Sequence, residues 1–151
     1  MEARLAAKLL VTSEGVVHDP VITIEDGIIS AIDSEIASSA PISYDLAGTV
    51  LTPGFFDIHM HGAFGRDVME ATADALRSVS AYLARAGVTE YLATTVTASL
   101  DVTFRALEGI ARYMRREPET GTSRIAGIHI EGPFVSHAKR GMHPAEYIVP
   151  P

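Results

Sequence analysis

The sequence of 151 residues contains no cysteine. Disulfide bonds and thiolate chemistry are therefore excluded, and a protein-bound metal must be held by histidine, aspartate or glutamate. Basic residues are also few, 12 lysines and arginines against 19 aspartates and glutamates, for a formal net charge of −7. This balance argues against nucleic acid or an anionic membrane as a partner. The lack of cysteine fits a cytoplasmic protein.

Long apolar runs are missing as well. The stretch of residues 5–11 is short and contains Lys8, so we expect neither a signal peptide nor a membrane helix, which needs about 18 apolar residues. The sequence has no Gly-x-Gly-x-x-Gly, no Walker loop and no Gly-x-Ser-x-Gly, which argues against nucleotide binding and a serine hydrolase. Hydrophobic residues still make up 47%, enough for a folded domain with a core.

The first 50 residues have the composition and turn signals of β structure. The predicted strands are residues 9–12, 21–25, 28–32 and 44–51. Asp26-Gly27 stands between two β-branched runs and predicts a type I′ hairpin, because both central residues of that turn need positive φ. We expect a small antiparallel β unit over residues 1–50, with a loop over residues 33–43.

After residue 51, strands and helices alternate. The predicted elements are strands 55–61, 89–96 and 125–131, a helix 73–86 that Thr72 caps and Gly87 ends, and a second helix capped by Asp101. The faces expected to be buried are Leu76, Val79, Tyr82 and Leu83 in the first helix and Phe104, Leu107, Ile110, Ala111 and Met114 in the second. Crossover helices connect parallel strands. This order opens either a doubly wound sheet or a (β/α)8 barrel, which binds ligands at the carboxyl ends of its strands.

Two histidines end the first of these strands, in residues 53–62, Pro-Gly-Phe-Phe-Asp-Ile-His-Met-His-Gly. Side chains alternate along a strand, so Asp57, His59 and His61 should share one face. Neutral imidazole is a good ligand for zinc, iron or nickel. The alternative is a pair of hydrogen-bonded structural histidines, but the surrounding motif favours metal. Asp57 either orients a ligand imidazole or satisfies the backbone.

The third strand ends in residues 127–134, Gly-Ile-His-Ile-Glu-Gly-Pro-Phe. Gly132-Pro133 ends the strand and exposes the carboxylate of Glu131, which can bind one metal or bridge two; the alternative is a simple exposed glutamate. His129 shares the face of Glu131, and we expect it to be an outer hydrogen-bond partner or a packed residue rather than a ligand.

A loop of residues 139–144, Lys-Arg-Gly-Met-His-Pro, follows that strand. His143 and the backbone of Met142 have the polar groups to hydrogen-bond a sugar or a phosphate. Lys139 and Arg140 suit a phosphate, but we interpret them, with His137, as a solvated basic loop.

These stretches resemble a known family. Residues 53–62 resemble the first-strand signature of the amidohydrolase superfamily, and residues 127–134 with 139–144 resemble, more specifically, its N-acetylglucosamine-6-phosphate deacetylases. The resemblance extends over the whole chain. It implies that residues 1–50 are a portion of a small β-sandwich. It implies that residues 51–151 are the first three β/α units of a (β/α)8 barrel with a metal site at its mouth.

The resemblance also implies the chemistry. The family hydrolyses the acetamide of N-acetyl-D-glucosamine 6-phosphate to D-glucosamine 6-phosphate and acetate, using one or two divalent ions, zinc or iron. Glu131 is then a metal ligand that bridges to an ion held by His59 and His61, while Met142 and His143 contact the sugar. The full-length protein is expected to be a cytoplasmic homo-oligomer, a dimer.

The chain is short for such an enzyme, since a complete barrel needs about 250 residues. The remaining metal-binding histidines, the phosphate-binding residues and the catalytic aspartate of the family have no match here. We therefore expect a truncated barrel that is inactive alone and contains no catalytic residue of its own. Two alternatives stay open: another amidohydrolase, such as a cyclic amidase or a deaminase, and a non-catalytic domain that binds metal or a partner.

Overall fold

The computed structural model describes residues 2–34 and 41–151. The chain divides into two compact units, Met1–Pro53 and Gly54–Pro151. Part of the loop predicted over residues 33–43, namely residues 35–40, lies outside the described residues. Among the described residues, no helix has the length and apolar character needed to span a membrane.

The first unit is one five-stranded sheet. Its strands are β1 (Glu2–Thr12), β2 (Gly15–His18), β3 (Val21–Glu25), β4 (Ile28–Asp33) and β5 (Tyr44–Leu51). β1 pairs with β2 near its end and with β3 near its start, and β3 pairs with β4, all antiparallel. Asp26 and Gly27 have φ of 49° and 83°, which confirms the predicted hairpin turn.

β5 corrects the expectation of a wholly antiparallel unit, because it pairs with β1 in parallel. β4 lies at the far end of the order β2-β1-β3-β4, so the chain must cross the sheet before β5 can reach β1. A crossing of this kind permits parallel pairing, whereas a tight hairpin does not. The sequence pattern also underestimated β1, which begins at Glu2, and left out β2.

The second unit contains the predicted β-α-β-α-β order. Its elements are β6 (Phe55–Met60), β7 (Gly62–Ala63), β8 (Arg66–Asp67), α1 (Ala73–Arg85), β9 (Val88–Thr95), α2 (Leu100–Met114) and β10 (Arg124–Ile130). β9 lies between β6 and β10 and is parallel to both, as predicted. β7 and β8 form a short hairpin. The carboxyl ends of the three parallel strands therefore lie at one edge of the sheet.

The core of this unit lies between the sheet and its two helices. Its fully buried side chains include Leu76, Val79, Tyr91 and Ile110. The hydroxyl of Tyr91 is 3.0 Å from that of Ser80, and burial raises the pKa of Tyr91 to about 12. α1 has the predicted ends, since the Thr72 side chain accepts from the Ala75 N–H and Gly87 has a φ of 82°.

Three expectations for the helices are wrong. Tyr82 is 47% exposed and stacks on Phe64, with ring centroids 6.0 Å apart. α2 is capped by Ser99 rather than Asp101, which lies in the first turn, where its charge still suits the helix dipole. The buried face of α2 consists of Thr103, Ala106 and Ile110, whereas Phe104 and Met114 are exposed.

A close backbone approach explains the face that α2 buries. A Cβ on Gly109 would lie 2.5 Å from the carbonyl oxygen of Ala71, so this part of the helix touches backbone. Such contact selects the side of the helix with small residues, and Phe104 is thereby turned outward. Hydrophobicity alone favours Phe104 as the buried residue, which is why the periodicity misassigned the face.

Candidate metal centre

The predicted metal ligands come together at the carboxyl edge of the parallel sheet. His59 lies near the end of β6, His61 directly follows that strand, and Glu131 directly follows β10. β9 separates the two strands. The three side chains meet because parallel strands end at the same edge, which is where ligand sites form in sheets of this kind.

The ligand atoms of this centre are close together. His59 Nε2 and His61 Nε2 are 2.9 Å apart. Glu131 Oε2 lies 3.0 Å from His61 Nε2 and 3.4 Å from His59 Nε2. The three side chains are between 31% and 45% exposed, so the centre is open to solvent.

These distances fit one divalent ion. A triangle with these edges has a circumradius of about 1.8 Å, which is smaller than the metal–ligand distances of about 2.0–2.2 Å for zinc with imidazole nitrogen and carboxylate oxygen. A single ion can therefore reach all three atoms at once. Two imidazoles and a carboxylate are also a donor set that suits zinc and iron.

One of the histidines is held in the tautomer that a ligand needs. His61 Nδ1 is 2.9 Å from the carbonyl oxygen of Thr94. A carbonyl only accepts hydrogen bonds, so the neutral ring has its proton on Nδ1 and presents the lone pair of Nε2 to the centre. Metal-binding histidines commonly donate their other N–H to a carbonyl or carboxylate in this way.

A β-bulge in β6 directs His59. Asp57 pairs with Tyr91 and Met60 with Ala93, so β6 contains one more residue than β9 over this stretch. Bulges leave a backbone group without its ladder partner and turn nearby side chains. The Asp57 carboxylate accepts from the His59 N–H at 2.9 Å and so stabilises the bulge. This contact corresponds to the backbone role, one of the two considered for Asp57.

The second carboxylate oxygen of Glu131 faces His143. Glu131 Oε1 lies 3.4 Å from His143 Nε2, and the His143 side chain is only 11% exposed. The other ring nitrogen, Nδ1, lies 2.8 Å from the hydroxyl of Thr97. Thr97 is not among the residues predicted from the sequence, although its position just after β9, the middle strand, was a signal that could have identified it.

The remaining predicted residues have varied surroundings. The ring of His129 is 5.0 Å from that of His59, and its buried Nδ1 has no hydrogen-bond partner among the described residues. Met142 is 82% exposed. Arg140 was interpreted as solvated, but its guanidinium donates to the carbonyl oxygen of His143 at 2.6 Å. Arg140 thus holds the loop that positions His143.

Known proteins resemble this chain over nearly its whole length. No protein-family profile matches it. The N-acetylglucosamine-6-phosphate deacetylase of Bacillus subtilis is 36% identical over 145 residues, which is 93% of this chain and 36% of that protein. The N-acetylgalactosamine-6-phosphate deacetylase of Escherichia coli O157:H7 is 36% identical over 143 residues, which is 94% of this chain and 36% of that protein. The chain thus spans about a third of the length of these curated relatives.

A solved structure agrees with these relatives. The N-acetyl-D-glucosamine-6-phosphate deacetylase of Mycobacterium smegmatis matches 99% of this chain and 41% of its own chain, with a TM-score of 0.83 and 29% identity. A mutant of that enzyme was solved in complex with N-acetyl-D-glucosamine-6-phosphate. The antiparallel strands and the parallel β/α units of this chain thus correspond to the N-terminal part of such enzymes. The chain is a homologue of the N-acetylglucosamine-6-phosphate deacetylases of the amidohydrolase superfamily over about a third of their length.

Proposed function

We propose that the chain is the N-terminal part of a metal-dependent deacetylase that hydrolyses N-acetyl-D-glucosamine 6-phosphate to D-glucosamine 6-phosphate and acetate. The observation that supports this most directly is the convergence of His59, His61 and Glu131, whose ligand atoms all lie within 4.8 Å of one another. The relatives supply the substrate class, because several of them have this activity as their name.

The fold proposal follows the same relatives. Residues 51–151 form the first three β/α units of a (β/α)8 barrel, and residues 1–50 form part of a β-sandwich. The parallel order of β6, β9 and β10 supports the barrel. The full-length protein is proposed to be cytoplasmic and dimeric, and light scattering of the full-length protein tests the dimer.

His59, His61 and Glu131 hold the ion, which we propose to be zinc or iron. A divalent metal at this point acts as a Lewis acid that acidifies water and polarises an amide carbonyl. The chain's own residues set up that position: the Thr94 carbonyl orients His61, and the bulge at Asp57 directs His59. A second ion would need ligands beyond these three side chains.

Met142 and His143 are the proposed contacts to the sugar. Met142 is exposed on the loop that follows the metal carboxylate, so it is available to a bound ligand. His143 lies beside Glu131, which places its ring next to the atoms that hold the ion. A group bound to an ion at this point would therefore lie close to the His143 ring.

The acetylated galactosamine epimer is the second candidate substrate. The chain is as similar to an N-acetylgalactosamine-6-phosphate deacetylase as to the Bacillus subtilis N-acetylglucosamine-6-phosphate deacetylase, 36% in both cases. The two sugars differ only at one hydroxyl-bearing carbon, so the same metal centre and acetamide chemistry serve both.

Zinc titration of the 151-residue chain tests the centre. We expect one ion per chain by calorimetry, with binding lost in His59→Ala and in Glu131→Ala. His18→Ala is the matched control, because His18 lies in β2 of the first unit and should leave the affinity unchanged. Equal zinc affinity in Glu131→Ala would disprove the proposed centre.

The test of the proposed substrate uses the full-length protein. We expect acetate release from the two acetylated amino-sugar phosphates and none from a cyclic amide such as dihydrouracil. Ammonia release from a nucleobase or hydrolysis of the cyclic amide would favour the other amidohydrolase branches instead. A full-length protein that binds zinc but hydrolyses none of these would favour a non-catalytic metal-binding domain.

A further inference from the structure

The strongest remaining feature is a buried polar contact behind the metal centre. Thr97 is only 3% exposed and touches both His143 and the backbone of Glu131. Its hydroxyl lies 2.8 Å from His143 Nδ1 and 3.5 Å from the Glu131 carbonyl oxygen. Its backbone N–H points at the same Nδ1 from 3.4 Å. One residue thus presents two possible donors to a single ring nitrogen.

Two arrangements of protons are possible for a neutral His143 ring. In the first, Nδ1 accepts from the Thr97 hydroxyl and N–H, and the Nε2 proton faces Glu131 Oε1, which lies 3.4 Å away. In the second, Nδ1 donates to the hydroxyl, which then donates to the Glu131 carbonyl oxygen at 3.5 Å. That arrangement leaves the Thr97 N–H without its acceptor and places the Nε2 lone pair against an anionic carboxylate oxygen, which is repulsive.

We propose that Thr97 is a positioning residue that keeps the His143 proton on Nε2, so that this proton faces Glu131 Oε1 and orients the carboxylate. The inference rests on the proposed metal role of Glu131. The two carboxylate oxygens then have separate tasks, because Oε2 faces the histidine ligands and Oε1 is held by His143. Outer partners of this kind commonly contribute about 10–100-fold to metal affinity.

The centre therefore contains two histidines in opposite tautomers. His61 faces a carbonyl oxygen, an obligate acceptor, and its Nε2 is a free ligand atom. His143 faces the donors of Thr97, and its Nε2 bears hydrogen. The difference comes from Thr94, in β9, and Thr97, just after it, which supply the two partners.

The backbone at Gly132 packs closely against the Thr97 hydroxyl. A Cβ at Gly132 would lie 1.9 Å from Thr97 Oγ1, and Gly132 has a φ of 93°. Only glycine leaves room for the hydroxyl between the end of β10 and His143. The residue directly after Glu131 thus accommodates Thr97, which supports a positioning role for it.

The direct test is the tautomer of His143 in the metal-free chain. Nitrogen-15 chemical shifts of the ring, recorded at about pH 8, where an ordinary imidazole is neutral, should show the proton on Nε2. Thr97→Val should weaken that preference, and Thr97→Ser should restore it. A wild-type ring with its proton on Nδ1, or with both nitrogens protonated, would overturn the proposal without any variant being needed.

The second test is zinc affinity of the same proteins. Thr97→Val should raise the zinc Kd about 10-fold, and Thr97→Ser should return it close to wild type. Thr95→Val is the matched control, because Thr95 is also buried and its hydroxyl has no hydrogen-bond partner within residues 2–34 and 41–151; its zinc Kd should not change. Unchanged zinc affinity in a folded Thr97→Val overturns the positioning role. A wild-type chain that binds no zinc defeats the proposed metal centre instead, and the tautomer measurement then still decides the role of Thr97.

Discussion

At the amino ends of the parallel strands, polar groups satisfy one another in separate pairs, whereas at the carboxyl ends they converge on one point. Arg124 of β10 binds Glu90 of β9, its direct cross-strand neighbour. The Ser123 hydroxyl donates to the Val88 carbonyl at 2.6 Å. At the other end, two imidazoles and a carboxylate face each other.

The comparison shows that polar groups at one edge of this small sheet pair with one another, whereas those at the other edge are arranged to bind a ligand. A cation and an anion in contact at the amino edge neutralise each other and leave little to bind a ligand. Three acceptor groups at the carboxyl edge cannot neutralise one another in this way, and a shared cation satisfies them best. Four predictions test this separation, at the two edges and in the layer between them.

The largest effect is expected from the same substitution made at both edges. Glu131→Gln should weaken zinc binding by more than about 100-fold, because it removes a ligand rather than an outer partner. Glu90→Gln at the amino edge should leave the zinc Kd unchanged. Isothermal titration with zinc measures both. Equal losses in the two variants would mean that bulk negative charge, and not the geometry of the centre, attracts the metal.

Metal removal should change stability through the carboxyl edge alone. A ligand at 100 times its Kd stabilises a folded protein by about 2.7 kcal/mol, so zinc should raise the unfolding midpoint and EDTA should reverse the shift. His61→Ala should lose this response and Arg124→Met should keep it. Denaturant titrations with zinc or EDTA give the result. A zinc response that survives in His61→Ala would place the ion elsewhere.

The carboxyl edge could be predicted from the sequence only in part. His59, His61 and Glu131 were identifiable because they lie at the ends of apolar strand patterns, and parallel strands end together. The bulge between Asp57 and Met60 could not be identified from the sequence, because an extra residue in one strand is a property of the pairing and not of either strand's sequence. The contact of Thr97 with His143 joins residues 46 positions apart, and no local pattern reports such a contact.

Errors in the fold have similarly specific causes. The face of α2 was misassigned because the approach of Gly109 to Ala71 outweighs the hydrophobicity of Phe104. The parallel β1–β5 pair was missed because strand direction depends on the route of a connection, which composition does not encode. Turn signals at Asp26-Gly27 and the helix cap at Thr72 were reliable because their causes are local.

The layer between the two edges should respond to alkaline pH. Tyr91 is buried, and burial raises its pKa to about 12, above the value of about 10 for an unfolded tyrosine. Stability is therefore complete below about pH 10 and falls as the pH rises toward 12, by an order of 2 kcal/mol. Urea unfolding between these pH values should show a smaller loss in Tyr91→Phe. An identical loss in that variant would assign the effect to another group. Burial also raises the pKa of Tyr113, so Tyr113 would be the next residue to replace.

The smallest effect is expected from the ion pair at the amino edge. Arg124 and Glu90 are largely on the surface, with side chains 66% and 37% exposed, and exposed pairs contribute about 0.2–1 kcal/mol. A double-mutant cycle with Arg124→Met and Glu90→Gln, followed by urea unfolding, should give a coupling energy in that range that shrinks at high salt. None of the three proteins should change in zinc affinity. A coupling energy well above this range would make the amino edge as specialised as the carboxyl edge, and the division between a pairing edge and a binding edge would then no longer hold.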